Sequence, residues 1–138
     1  MNIPIILALV ALVTAGLVNF FWRIAGENQV YGPSWMIVET IFFGLVAVVI
    51  HLVQKHPFEL SPKMTVISSL GGILAAISVF AVLLAFRLGG QGSIIFPIIG
   101  LGVIVSVALS FLVYHEPVTA TKLLGLGLGV SSIIVLSR

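Results

Sequence analysis

Apolar positions in this chain run on for lengths that its polar positions never reach. Five runs stand out, roughly Ile3 to Ile24, Trp35 to Val53, Met64 to Phe86, Ile94 to Tyr114 and Val118 to Leu136. Each is close to the ~20 residues that a helix needs to cross the hydrocarbon core of a bilayer. Membrane strands would instead alternate apolar and polar residues over about ten positions. These runs are apolar all round, and a helix satisfies its own backbone hydrogen bonds in lipid. The pattern predicts an all-α membrane protein with five transmembrane helices, forming one transmembrane domain over residues 1–138.

The breaks between the runs carry turn chemistry. Gly26-Glu27-Asn28-Gln29 and Gly32-Pro33-Ser34 make a polar turn and a helix start. Gln54-Lys55-His56-Pro57, with Glu59 and Ser61-Pro62-Lys63, is the longest polar loop. Gly89-Gly90-Gln91-Gly92-Ser93 is a glycine break that offers Ser93 as an N-cap. His115-Glu116-Pro117 is a tight turn, with Pro117 suited to the first position of the last helix.

Composition removes the soluble alternative. Hydrophobic residues make up 60% of the chain and charged residues 7%, against about 25% charged in soluble domains. That leaves too little polar surface to cover a globule in water. The six Lys and Arg are scattered singly, which gives neither the basic patch of a nucleic-acid binder nor a polybasic lipid site. With no cysteine there is no disulfide framework or thiolate metal site. The first positive side chain, Arg23, comes only at the end of the first apolar run. That order predicts a membrane helix rather than a cleaved leader.

Charge also bears on orientation. Five spans put the termini on opposite sides. One side then carries Lys55, Lys63 and Lys122, and the other Arg23, Arg87 and Arg138. Orientation follows the asymmetry of Lys and Arg between the two sides, and here there is none. Such a chain can insert both ways, as an antiparallel homodimer requires. A weak bias resolved by a partner or by the insertion machinery is the other reading.

The last three spans resemble something specific. Ala85-Phe86-Arg87-Leu88-Gly89 is followed by Ile95-Phe96-Pro97-Ile98, then by Tyr114-His115-Glu116-Pro117-Val118-Thr119 and Leu124-Gly125-Leu126-Gly127. This resembles the repeat unit of the drug/metabolite transporter superfamily, the EamA-like domain. That unit has an Ala-x-x-x-Gly end to its third helix and a proline early in its fourth. A Gly-Glu precedes its fifth helix, and a glycine lies within that helix. His115 stands here in place of the glycine before Glu116, and the first two spans match in hydropathy alone. Most members have ten helices, as two units in inverted orientation, whereas this chain looks like one unit. The resemblance implies a second copy inserted upside down, transport by alternating access, and a site near the midplane between the copies, as in inverted-repeat transporters.

Several residues can carry chemistry. Glu39 lies about a turn and a half into the second span, where an ionisable side chain costs about 2.5–3.5 kcal/mol and usually has a function. It is either a proton- or cation-coupling group or a carboxylate near the interface paired with Arg23. Asn19 and Arg23 are i and i+4 on one face with Gly16 and Phe20. They form either a cavity wall, with Arg23 holding a substrate carboxylate, or a face whose arginine snorkels to the headgroups. Arg87 allows the same two readings. Ser68, Gly72, Ala75 and Ser78 make a small-residue stripe in the third span, as do Gly102, Ser106 and Ser110 in the fourth. Close helix packing is the leading reading of both, and a polar path the other. Pro97 breaks the helical ladder of the fourth span, freeing a carbonyl for a ligand or kinking the helix.

Gly125, Gly127 and Gly129 resemble a dinucleotide fingerprint only in spelling, because that motif needs a preceding strand. Gly125-x-x-x-Gly129 reads as a helix-contact face, and its counterpart in the resembled family joins the two units, which makes it the expected dimer interface. Glu116 suits the positive end of the fifth helix. His51, His56 and His115 lie near helix ends without metal-ligand spacing. Trp22, Trp35, Tyr31 and Tyr114 sit at span ends, where aromatic residues anchor at the interface.

No Ser/His/Asp grouping, cysteine nucleophile or phosphate loop points to an enzyme, and no cofactor or metal is expected. The expectation is a secondary transporter of a small metabolite or drug-like solute, with proton coupling resting on Glu39. It would work as an antiparallel homodimer in a prokaryotic inner membrane. An accessory subunit of a larger membrane complex and a small passive ion channel are the alternatives.

Overall fold

A computed structural model of the chain describes residues 2–115 and 119–136, with the side chains of 122, 133 and 136 left aside. Every regular element among them is an α-helix: α1 (Ile3–Glu27), α2 (Gly32–Gln54), α3 (Pro62–Arg87), α4 (Gly92–Gly100), α5 (Gly102–Tyr114) and α6 (Ala120–Leu136). The backbone divides into two compact units, Met1–Gly89 and Gly90–Arg138.

In the first unit the helices outrun their apolar cores. The first helix continues through Gly26 and Glu27, which the sequence pattern places in the turn. It stops at Asn28, where the backbone N–H and the side-chain Nδ2 both donate to the carbonyl of Ile24. Gln29 then takes a left-handed conformation at φ 54°. The second helix starts at Gly32, three residues before the expected Trp35, because Pro33 fits a first turn whose N–H groups have no intrahelical acceptor. The third begins at Pro62, capped by Ser61 Oγ, which accepts from Met64 N at 3.3 Å. Gly89 closes the unit with φ +89°, which a Cβ would strain.

Both α1 and α2 pack mainly on α3 rather than on each other. The buried apolar residues are few: Ala25, Val82, Leu83 and Phe86. They mark where the C-terminal turns of α1 and α3 cross. Gly26 permits this approach, since a Cβ built there would overlap the Cβ of Phe86 and lie 3.0 Å from its carbonyl carbon. Gln29 Nε2 donates to the carbonyl of Arg87 at 3.0 Å, satisfying one of the acceptors that a helix C-terminus leaves open. One end of the unit thus holds Arg23 and Arg87, and the loop at the other carries Lys55 and Lys63. Most of the remaining helix surface is apolar and exposed, as lipid contact requires.

In the second unit Gly92–Tyr114 is one apolar stretch, long enough to span, that is interrupted at Leu101. Pro97 has no N–H, so the carbonyl of Ser93 receives no i+4 bond. One turn on, Leu101 N donates to both Pro97 O and Ile98 O, and Ile104 N to Leu101 O. That local tightening to i+3 spacing separates α4 from α5. The expected N-cap at Ser93 is corrected: Gln91 occupies the cap position, and Ser93 lies inside the first turn. The sixth helix packs against α4. Its 17 residues reach about 26 Å at 1.5 Å per residue. Four stretches, Ile3–Glu27, Gly32–Gln54, Pro62–Arg87 and Gly92–Tyr114, have the length and hydropathy of membrane spans. The expectations for Glu116 and Pro117 fall outside the described residues.

Candidate functional site

The groove between α2 and α3 follows from side-chain size. On α2, Met36, Glu39, Thr40 and Phe43 fall at i, i+3, i+4 and i+7, on one helical face. On α3, Ser68, Gly71, Gly72, Ala75, Ala76 and Val79 do the same. Nearly every residue of that α3 face is small, and a Cβ on Gly71 or Gly72 would meet nothing within 4 Å. The space opposite α2 therefore stays open. It forms a cavity of about 640 Å³, which Trp22 of α1 also lines. That volume is in the range of small-molecule sites, about 300–1,000 Å³. The stripe Ser68, Gly72, Ala75 thus borders a groove, not a tight helix contact.

Glu39 is the one charged side chain of that lining. Seven residues into α2, it lies about 10 Å along the helix from its N-terminus. Trp22 lies five residues before the end of α1, at a similar depth from the same end. Its indole Nε1 donates to both carboxylate oxygens of Glu39, at 3.0 Å and 3.3 Å. This aims the carboxylate but leaves its charge in place, because the indole is neutral. Glu39 also borders a second cavity of about 410 Å³, with Val18 and Phe21 of α1, Val30, and Ser34, Trp35 and Val38 of α2. That opening exists because α1 and α2 lean on α3 rather than on each other.

The expected pairing of Glu39 with Arg23 does not form. Arg23 Nε instead donates to Glu27 Oε1 at 2.8 Å, one turn along α1, and both side chains are exposed. The cause is the extension of α1 through Glu27, which puts a carboxylate at i+4 from Arg23. No other ion pair occurs among the described residues. Trp22 is likewise not a plain interfacial anchor, since it is half-buried and bonded to Glu39. Trp35 is half-buried with its Nε1 enclosed and without an acceptor, whereas Tyr31 and Tyr114 are exposed.

The match to known proteins runs the length of the chain. Residues 2–138 fit the EamA-like transporter family. The chain belongs to the EamA-like transporter family. An uncharacterized protein of Methanocaldococcus jannaschii is 30% identical over 139 residues, covering 99% of this chain and 98% of the relative. No solved structure matches. As a member of a transporter family with four spanning stretches, the chain is a multi-pass membrane protein.

The other candidate residues of this EamA-like chain are spread over the fold. Asn19 is half-buried on α1, one turn deeper than Arg23, and lines neither cavity. Pro97 lies on α4, in the second unit. Gly125 and Gly129 are exposed on α6, and a Cβ on either would meet nothing within 4 Å. Hydroxyls off the groove fold back on their own helices: Ser69 Oγ donates to Thr65 O at 2.9 Å and Ser131 Oγ to Gly127 O at 2.8 Å. Sequence reasoning missed Trp22, Thr40 and Gly71 as parts of the site. The i, i+3, i+4, i+7 spacing around Glu39 was the available signal.

Proposed function

We propose that this EamA-like protein is a secondary transporter of a small organic solute that works by alternating access, with the α2–α3 groove as its binding site and Glu39 as its coupling group. The supporting observation is the Glu39 carboxylate, held at 3.0 Å and 3.3 Å by Trp22 Nε1 on a cavity of about 640 Å³. In a membrane span such a charge is costly, and function is the usual reason to keep it. A carboxylate with no cationic side chain beside it can be neutralised by a proton or by a cationic ligand. Either exchange gives a coupling mechanism.

The working form in this proposal is an antiparallel homodimer in a prokaryotic cytoplasmic membrane. The balance of three positive residues on each side supports it. Gly125 and Gly129 leave an open backbone face on α6 where a second copy can approach closely. The archaeal relative supports the prokaryotic setting.

The test is uptake by the purified protein alone. Liposomes with an imposed pH gradient are offered a defined mixture of small metabolites, and their contents are read by mass spectrometry. Enrichment of at least one solute over protein-free liposomes is expected. Enrichment that appears only with a second protein would point to an accessory subunit.

A further inference from the structure

The groove has a definite chemical bias. Its lining offers one formal charge, the negative Glu39, and no lysine, arginine or histidine. The nearest guanidinium on α1, that of Arg23, is bonded to Glu27 at 2.8 Å. An anionic solute would enter against an uncompensated carboxylate in a medium of low dielectric constant, where like charges repel strongly. A neutral solute would draw nothing from that charge and would need a proton to neutralise it, whereas a cationic solute balances it directly.

The same lining argues against a bare metal ion. Ca²⁺ or Mg²⁺ takes about six or more oxygen ligands at close range. The side-chain oxygens here come from Glu39, Thr40 and Ser68 alone. The remaining wall is mostly apolar, from Met36, Val79, the alanines and the rings of Trp22 and Phe43. A ring face attracts a cation within about 6 Å of its centre, and Trp does so best. The cavity of about 640 Å³ has room for an organic molecule.

We infer that the groove selects monovalent organic cations with an apolar body. The positive centre sits against the Glu39 carboxylate beside the Trp22 ring, and the body lies along the small-residue face Gly71-Gly72-Ala75-Ala76 of α3. Trp22 is a positioning residue, since its N–H holds the carboxylate toward the groove. This inference rests on the groove being the transport site. It goes further in naming the class of solute.

The test is calorimetric binding of benzyltrimethylammonium and of phenylacetate to the full chain purified in a non-ionic detergent. The ammonium ion should bind and phenylacetate should not. Glu39→Gln should weaken the ammonium ion at least tenfold, while Glu39→Asp, which keeps the charge, should hold it within about threefold. Gly72→Leu should fill the groove and also abolish binding. It has room to do so without disturbing the helices, as nothing lies within 4 Å of a Cβ there. Phenylacetate binding that Gly72→Leu abolishes would keep the groove as the site and overturn the cation assignment. Ammonium binding equal in wild type, Glu39→Gln and Gly72→Leu would overturn it by placing the ligand elsewhere, and no ammonium binding at all would overturn it too. Uptake by the wild type in liposomes decides separately whether the protein transports.

Discussion

The indole Nε1 of Trp22 donates to both carboxylate oxygens of Glu39 and links α1 to α2, two helices that otherwise rest mainly on α3. The other tryptophan supplies an internal control. Trp35 lies on α2 beside the smaller cavity, and its Nε1 is enclosed with no acceptor. A hydrogen bond to a charged group contributes about 1.5–3 kcal/mol, whereas an enclosed N–H without a partner costs about 1–3 kcal/mol. Trp22→Phe should therefore lower stability by about 1–3 kcal/mol, and Trp35→Phe should be close to neutral, because relief of the unpaired N–H offsets the packing lost with the smaller ring. Thermal unfolding of the two variants in the same detergent gives the comparison. An equal loss in both would mean that ring packing, not the Glu39 contact, sets the value of Trp22.

Gly26 is the tightest point of the first unit. Because a Cβ there would overlap the Cβ of Phe86 and crowd its backbone, Gly26→Ala should destabilise by at least the ~1–3 kcal/mol of an overpacked core. Trimming the ring should not help, as Phe86→Ala retains the overlapping atom. The double variant Gly26→Ala/Phe86→Ala should be no more stable than Gly26→Ala, as read from folded yield and melting temperature.

The Arg23–Glu27 pair should matter little. Its side chains are 43% and 59% exposed, and exposed i,i+4 ion pairs contribute about 0.3–0.5 kcal/mol. Arg23→Ala should leave the melting temperature nearly unchanged and should not reduce solute binding, since Arg23 lines neither cavity. A large loss of binding would return Arg23 to the site.

Orientation is testable in native membranes. Reporters active only in the cytoplasm or only outside, fused in turn to the C-terminus, should both give signal at similar expression. Signal from one alone would exclude an antiparallel homodimer. Gly125→Leu and Gly129→Leu should weaken dimers in detergent, and intact dimers would move the interface off this face.

Four of the five expected spans were legible in the sequence because hydropathy is decided residue by residue, whereas the fifth, Val118 to Leu136, appears among the described residues as the 17-residue α6. Their ends were less so, since Gly26-Glu27 and Gly32-Pro33 look like a turn yet lie in helices that pack on α3. A break in the helical ladder near Pro97 was legible, and the helix is interrupted one turn later, at Leu101. The partner of Glu39 was not. Opposite charges suggested Arg23, but helix α1 continues far enough for Glu27 to take it, and Trp22 reaches Glu39 from across the turn. The stripe through Ser68, Gly72 and Ala75 was visible as a pattern. Whether small residues close a contact or leave a groove depends on the facing helix, which no single segment encodes.

The most direct test of the central claim is pH-gradient-driven solute uptake by the Glu39→Gln variant, beside the wild type, in liposomes of matched protein content. The amide keeps the shape and can still accept from Trp22 Nε1, but it can neither take up a proton nor balance a cation. With Glu39 as the coupling group, the wild type should take up solute and Glu39→Gln should lose gradient-driven accumulation. Accumulation by Glu39→Gln equal to the wild type would contradict that role.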